Sequence, residues 1–171
     1  MSVYNLDNLL DELRQAAHDG DLTAVADVVR GAIGETLFVP QVGSSQLLNS
    51  EPGLTVLHAV VNPGYVSPPH DHRTWAVIGV YDGQEDNTFY RLIDGSRRIE
   101  QAGSRSLRHG EVLTLGTEAI HRIANPLNNK LIALHVYGKN IFEIERSAWD
   151  PATSDERPFK LTLDVRGRVR P

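Results

Sequence analysis

The chain contains no cysteine. This rules out a disulfide framework and a thiolate metal site, so any metal must be held by histidine, carboxylate or backbone oxygen. No apolar run approaches the roughly 20 residues that span a bilayer. The opening Met1-Ser-Val-Tyr-Asn-Leu-Asp also lacks the basic start and apolar stretch of a secretory signal. A cytoplasmic protein with no membrane partner is the expectation. Excess positive charge is missing too: the formal net charge is −5, so nucleic acid is not an expected partner. The basic run Arg166, Arg168 and Arg170 reads as a solvated tail. Between Gly31 and Asp71 there is neither arginine nor lysine. No internal repeat or low-complexity tract interrupts the chain. What remains, 171 residues with 40% hydrophobic and 23% charged content, suits one domain with a buried core. It divides into a helical region 1–35, a β core 40–140 and a C-terminal extension 141–171.

In the helical region, Leu6, Leu9, Leu10, Leu13 and Ala17 fall on one face at helical spacing, and Gly20 is placed to end that helix. Asp21 can cap a second helix, whose Val25, Val28, Val29 and Ile33 form another stripe and whose end frays at Gly31 and Gly34. Both stripes read as faces that cover a core. After Pro40 the texture changes to short β-branched runs separated by Gly, Pro, Asn and Asp. These are Leu54 to Val61, Trp75 to Tyr81, Thr88 to Ile93, Glu111 to Leu115, His121 to Ala124, Leu131 to Tyr137 and Phe159 to Val165. Many short strands at regular spacing predict an all-β sandwich or barrel with N-terminal α-helices.

Seven histidines occur, at 18, 58, 70, 72, 109, 121 and 135. His18 and His109 read as ordinary surface or turn residues. His58, inside the apolar run Leu57-His58-Ala59-Val60, either lines a cavity or hydrogen-bonds in the core. His70-Asp71-His72 is different. On a strand, residues i and i+2 share a face, so two imidazoles emerge side by side as cis ligands for one metal while Asp71 points away.

The flanking spacing sharpens this. Gly64, five residues, His70-x-His72, three residues, Ala76, six residues and Gly83 resemble the first cupin motif, with Ala76 in place of its glutamate. Gly110, five residues, Gly116, then His121, three residues and Asn125 resemble the second, with Gly116 and Glu118 replacing its proline and second glycine. The resemblance covers roughly residues 40 to 140 and implies a double-stranded β-helix (jelly-roll) barrel with a metal on His70, His72 and His121. Because Ala76 cannot ligate, the set is three neutral imidazoles. Such a site keeps the full dipositive charge of the ion and favours a directly bound anion. Iron(II) is the expected metal, with zinc, nickel and manganese left open.

Within the cupins, Pro69-His-Asp-His-Arg-Thr-Trp75 and Ala133-Leu-His-Val-Tyr-Gly138 are similar to the thiol dioxygenases, which include cysteine dioxygenase and the 3-mercaptopropionate dioxygenases. Asp86-Asn-Thr-Phe-Tyr-Arg91 and Ser147-Ala-Trp-Asp-Pro151 extend the likeness to uncharacterised bacterial relatives. The family's chemistry implies ferrous iron, a small anionic thiol and O2 as partners, and a sulfinate product. A thiol supplies all four electrons that O2 needs, so no further reductant is called for. The family's Ser-x-His-x-Tyr set maps onto Ala133, His135 and Tyr137, giving His135 and Tyr137 catalytic roles beside the metal while the serine is absent. Arg146 and Gln46 match the positions that handle the substrate carboxylate in the mercaptopropionate type; for Arg146 a plain surface ion pair is an equal reading. Two other readings stand beside this one: a metal cupin acting on a non-thiol anion, and a non-catalytic cupin that binds a metal or ligand. A homodimer is left open.

Overall fold

The computed structural model of the protein describes residues 5–34, 43–164, 166 and 168–170. It begins with α1 (Leu6–His18) and α2 (Leu22–Gly34). Asn5 caps α1 by accepting the Asn8 amide at 2.9 Å, and Leu9, Leu10, Leu13 and Ala16 form its buried face. Gly20, at φ +69°, turns the chain as only a residue without Cβ does freely. Asp21 then accepts the amides of Thr23 (2.9 Å) and Ala24 (3.2 Å) and starts α2. That helix continues through Gly31 to Gly34 and buries Val25, Ala26, Val29, Ala32 and Ile33.

Among the described residues thirteen strands follow: β1 (Gln46–Glu51), β2 (Leu54–Val61), β3 (His70–Asp71), β4 (Ala76–Asp82), β5 (Gln84–Leu92), β6 (Ile99–Arg108), β7 (Val112–Leu115), β8 (Ile120–Ala124), β9 (Leu131–Tyr137), β10 (Arg146–Trp149), β11 (Glu156–Phe159), β12 (Thr162–Leu163) and β13 (Val169–Arg170). They form one sheet of order β1-β2-β9-β4-β7, a second of order β11-β10-β3-β8-β5-β6, and a β12–β13 pair. The first sheet is covered on both faces. Leu54, Val56, Val77, Leu134 and Val136 pack against the helices. The alternate residues Leu57, Ala59, Ile78, Ala133 and Tyr137 pack inward, with Leu107, Phe89 and Ile123 of the second sheet. Burial of both faces explains why β2 and β9 read as continuous apolar runs. Gly79 on β4 lets α2 approach closely: a Cβ there would stand 2.6 Å from Val29 Cγ1.

Several elements depart from the sequence expectation. β6 was not anticipated, because it is a polar edge strand exposed along most of its length and carries no alternating apolar signal. The run expected over Thr88 to Ile93 begins at Gln84. The run expected over Phe159 to Val165 divides into β11 and β12, and Val165 lies outside the described residues. In the basic C-terminal run, Arg168 is tied to Asp164 at 2.6 Å. No helix among the described residues is long and apolar enough to cross a membrane.

Candidate metal centre

Three strand features bring the predicted ligands together. His70 on β3 stands directly opposite His121 on the neighbouring β8, and β10 closes the other side of β3 through the Ala148–His70 pair. His72 follows just past the end of β3. Asp71 points away, as strand alternation requires, and accepts the Ser147 amide at 2.8 Å and the Arg73 guanidinium. Arg73 takes φ +53°, a costly backbone for a residue with a side chain. Its guanidinium bond to Asp71 helps hold this turn immediately after His72. The motif glycines Gly64, Gly83 and Gly110 all have positive φ, so the spacing that picks out the histidines also marks the turns that frame them.

One nitrogen from each of His70, His72 and His121 lies within 4.8 Å of the others, and all three residues are buried. The ring centroids are 4.8 to 5.0 Å apart. His70 donates Nδ1–H to the Pro68 carbonyl at 2.9 Å, and His121 donates Nδ1–H to Asn87 Oδ1 at 2.7 Å. Those bonds fix the tautomer that leaves Nε2 of each ring with a free lone pair, the state a metal requires. His72 has no such tether: its Nδ1 is buried without a hydrogen-bond partner, and the ring is held by contact with its two neighbours and with Tyr137. Burial, only partly opposed by the bond to Pro68, brings the His70 imidazole down to about 4. Burial and repulsion from neighbouring rings hold His72 and His121 well below the usual range. All three are therefore neutral donors at pH 7. This donor set, all nitrogen and convergent, fits a divalent transition metal.

His135 and Tyr137 on β9 share the inward face with Ala133, and His135 Nδ1 is 3.1 Å from Tyr137 Oη. The Tyr137 ring centroid is 5.1 Å from that of His72, which brings the predicted pair to the ligand cluster. Burial keeps the Tyr137 phenol well above its ordinary value and so protonated. Ala133 offers no hydroxyl, and the partner of His135 comes from elsewhere. His135 Nε2 is 3.0 Å from Glu85 Oε2, a carboxylate with no exposure to solvent. Asn87, two residues further along β5, donates Nδ2–H to Glu85 Oε1 at 3.0 Å. The chain of contacts is therefore continuous from His121 through Asn87, Glu85 and His135 to Tyr137. The sequence reading missed Glu85 and gave Asn87, within the run Asp86 to Arg91, no role of its own. Their signal was two polar residues at strand spacing, hidden because β5 was expected to begin at Thr88.

Arg146 opens β10 and is buried; its Nε and Nη2 have no hydrogen-bond partner, and the Asp71 carboxylate acts on it only through space. The guanidinium carbon lies 4.9 Å from the centre of the Phe159 ring. Burial lowers its pKa. The surface ion pair is thus set aside. Arg146, the three ligands, His135 and Tyr137 all line one cavity of about 450 Å³, walled by Leu57, Ala59, Val61, Ile123, Phe159 and Leu161. Gln46 is not among its lining residues. It sits opposite His58 in the β1–β2 ladder, on the face that turns toward the helices, whereas the next residue, Leu47, packs inward.

The remaining histidines stay outside the site. His18 is exposed beside Asp19, and His109 donates to the Tyr81 carbonyl. His58 neither lines the cavity nor hydrogen-bonds: both ring nitrogens are buried without partners, against Tyr81. Burial lowers the His58 pKa and pushes the Tyr81 phenol up to about 12.

No family model matches the sequence. Among solved structures, the chain is similar to an oxalate oxidase in complex with the substrate analogue glycolate, at 18% identity over 57% of this chain and 52% of that chain, with TM-score 0.44. It is also similar to a cupin 2 conserved barrel domain protein from Salinispora arenicola CNS-205, at 21% identity over 63% and 76% of the two chains, TM-score 0.42. A third is an RmlC-like cupin family protein with a double-stranded β-helix fold from Methanocaldococcus jannaschii, at 13% identity over 61% and 88%, TM-score 0.46. The chain spans about half the length of the oxalate oxidase it matches.

Proposed function

We propose that this chain is a cupin whose two sheets form a double-stranded β-helix, and that it is a non-haem Fe(II) dioxygenase converting a small thiol carboxylate to its sulfinate. The observation that carries this reading is Arg146, a buried guanidinium without an anionic partner in the cavity that holds three neutral imidazoles. An uncompensated buried cation is costly unless a ligand supplies the opposite charge. A site with no protein carboxylate on the metal asks for the same thing. A thiol carboxylate answers both demands, with its carboxylate on Arg146 and its thiolate at the histidines.

The reaction balances as R–S⁻ + O2 → R–SO2⁻, with both oxygen atoms retained on sulfur. Iron, when bound by His70, His72 and His121, supplies the redox chemistry that joins thiolate and O2. The chain's own residues do the rest. Arg146 fixes the acid end, with Phe159 against its guanidinium limiting its rotation. Tyr137 stays protonated and offers a hydroxyl at the edge of the ligand cluster, oriented by His135. Leu57, Ala59 and Ile123 exclude water from the wall. The test is anaerobic iron loading followed by O2 uptake with a panel of thiols, including 3-mercaptopropionate and cysteine. Thiol-dependent uptake with sulfinate formed is expected; iron bound with no uptake above the no-thiol control would overturn it.

The cavity volume favours one variant of this reading. About 450 Å³ with an apolar wall is room for a ligand larger than six or seven heavy atoms. A series of thiol acids of increasing chain length distinguishes the two. A rise in kcat/KM with length assigns the apolar wall to substrate; a fall assigns the extra space to water.

A further inference from the structure

Glu85 is the buried carboxyl group that the proposed reaction leaves unexplained. Its carboxylate has no solvent exposure, and among the described residues no lysine or arginine pairs with it. Its hydrogen-bonding partners are Asn87 Nδ2 at 3.0 Å and His135 Nε2 at 3.0 Å. A fully buried carboxyl group needs its hydrogen bonds satisfied from within the protein, and both of its oxygens find a partner here. The hydrogen-bond order along the chain links it to the ligand cluster. A metal on His121 Nε2 leaves Nδ1–H to donate to Asn87 Oδ1. Asn87 must then turn its NH2 toward Glu85 Oε1. The other oxygen, Oε2, accepts Nε2–H from His135, which leaves His135 Nδ1 facing the Tyr137 hydroxyl. Each orientation is set by the one before it.

The pieces come from both sheets. Asn87 and Glu85 lie on β5, beside the β8 strand that carries His121, whereas His135 and Tyr137 lie on β9 of the other sheet. The His135–Glu85 contact is therefore a polar bridge through the interior. Ala76, at the motif's usual carboxylate position, and Ala133, at the serine of the Ser-x-His-x-Tyr set, are both small and buried; Glu85 is the carboxyl group that meets His135 instead.

We propose that Glu85 is a positioning residue for both halves of the site: through Asn87 it fixes the His121 tautomer that faces the metal, and through His135 it aims Tyr137. The proposal rests on the three histidines holding a metal, and does not depend on the substrate being a thiol.

The experiment loads wild-type protein, Glu85→Gln and Asn87→Ala with cobalt(II), reading affinity by titration, ligand geometry by the visible spectrum, and folding by far-ultraviolet circular dichroism. Both variants are expected to fold, to bind cobalt roughly 10- to 100-fold more weakly and to show a shifted visible band. The double variant should be no weaker than the weaker single one, because both changes cut one chain. Either folded variant binding with wild-type affinity and spectrum would overturn the proposal alone. Wild-type protein that takes up no cobalt would overturn it together with the metal reading. If Glu85→Gln does not fold, Asn87→Ala still decides the His121 half. Loss of the downfield His135 Nε2–H proton resonance in Glu85→Asp, with the His121 Nδ1–H resonance also displaced, then decides the other. Both resonances unmoved would overturn it.

Discussion

His70 and His121 face each other directly across adjacent antiparallel strands, with ring centroids 4.8 Å apart. Two ligands are thus fixed by sheet register, and the third follows two residues along the same chain. A slip of β3 by one residue would set Asp71 opposite His121 in place of His70. Two ligands therefore stand on rigid ladders and His72 lies just past a strand end, which suits a site whose geometry must not relax when its ligand leaves.

The ligands carry a pH signature. The His70 imidazole is held at about 4 in the fold, below its ordinary value near 6.5. The unfolded chain therefore binds more protons between those limits, so stability falls as pH falls through that window and is fully present above it. For the metal-free protein, His70 alone should remove about 3 kcal/mol of stability between pH 7 and pH 4, with His72 and His121 acting in the same direction. Urea unfolding of apoprotein across this range checks the sign; equal or greater stability in acid would contradict it.

Arg146→Met should separate binding from folding. The change removes an unpaired buried cation, so the apoprotein should be as stable as wild type or more so. KM for a carboxylate-bearing thiol should rise roughly 10- to 100-fold with the loss of a charged hydrogen bond, while a thiol lacking the carboxylate should be nearly unaffected. Equal losses on both substrates would remove Arg146 from the binding role.

Tyr137→Phe keeps the ring and deletes the hydroxyl that meets His135 at 3.1 Å. Metal content should be unchanged and kcat should fall by about 100-fold. Because burial keeps the phenol protonated, the wild-type rate should show no tyrosine ionisation up to pH 9. A rate that steps in that range would contradict the donor role.

Gly79→Ala tests the architecture away from the site. The added Cβ meets Val29 Cγ1 at 2.6 Å and Ile33 Cγ2 at 3.1 Å, so α2 must shift off β4. A loss of about 1–3 kcal/mol is expected, with metal affinity retained in the folded fraction. Unchanged thermal stability would show that α2 yields without cost.

The parts legible in the sequence were those that strand periodicity and turn chemistry encode locally. The ends of β2 and β9 agree with the apolar runs that predict them, and His70-x-His72 follows from alternation alone. Gly64, Gly83 and Gly110 were legible because positive φ favours glycine. The role of Glu85 was not legible. Its partners Asn87 and His135 lie on two different sheets, and only strand pairing brings them together. Gln46 shows the same limit in reverse: one step of alternation points it with His58 toward the helices, while Leu47 turns inward. β6 escaped because an exposed edge strand has no apolar face to betray it.

The most direct measurement is the metal content of purified wild-type protein beside that of His121→Ala, each loaded anaerobically with iron(II) and desalted. About one iron per chain in wild type and almost none in the variant, with circular dichroism unchanged, is the predicted result. Iron retained by His121→Ala at the wild-type stoichiometry would contradict the three-histidine centre.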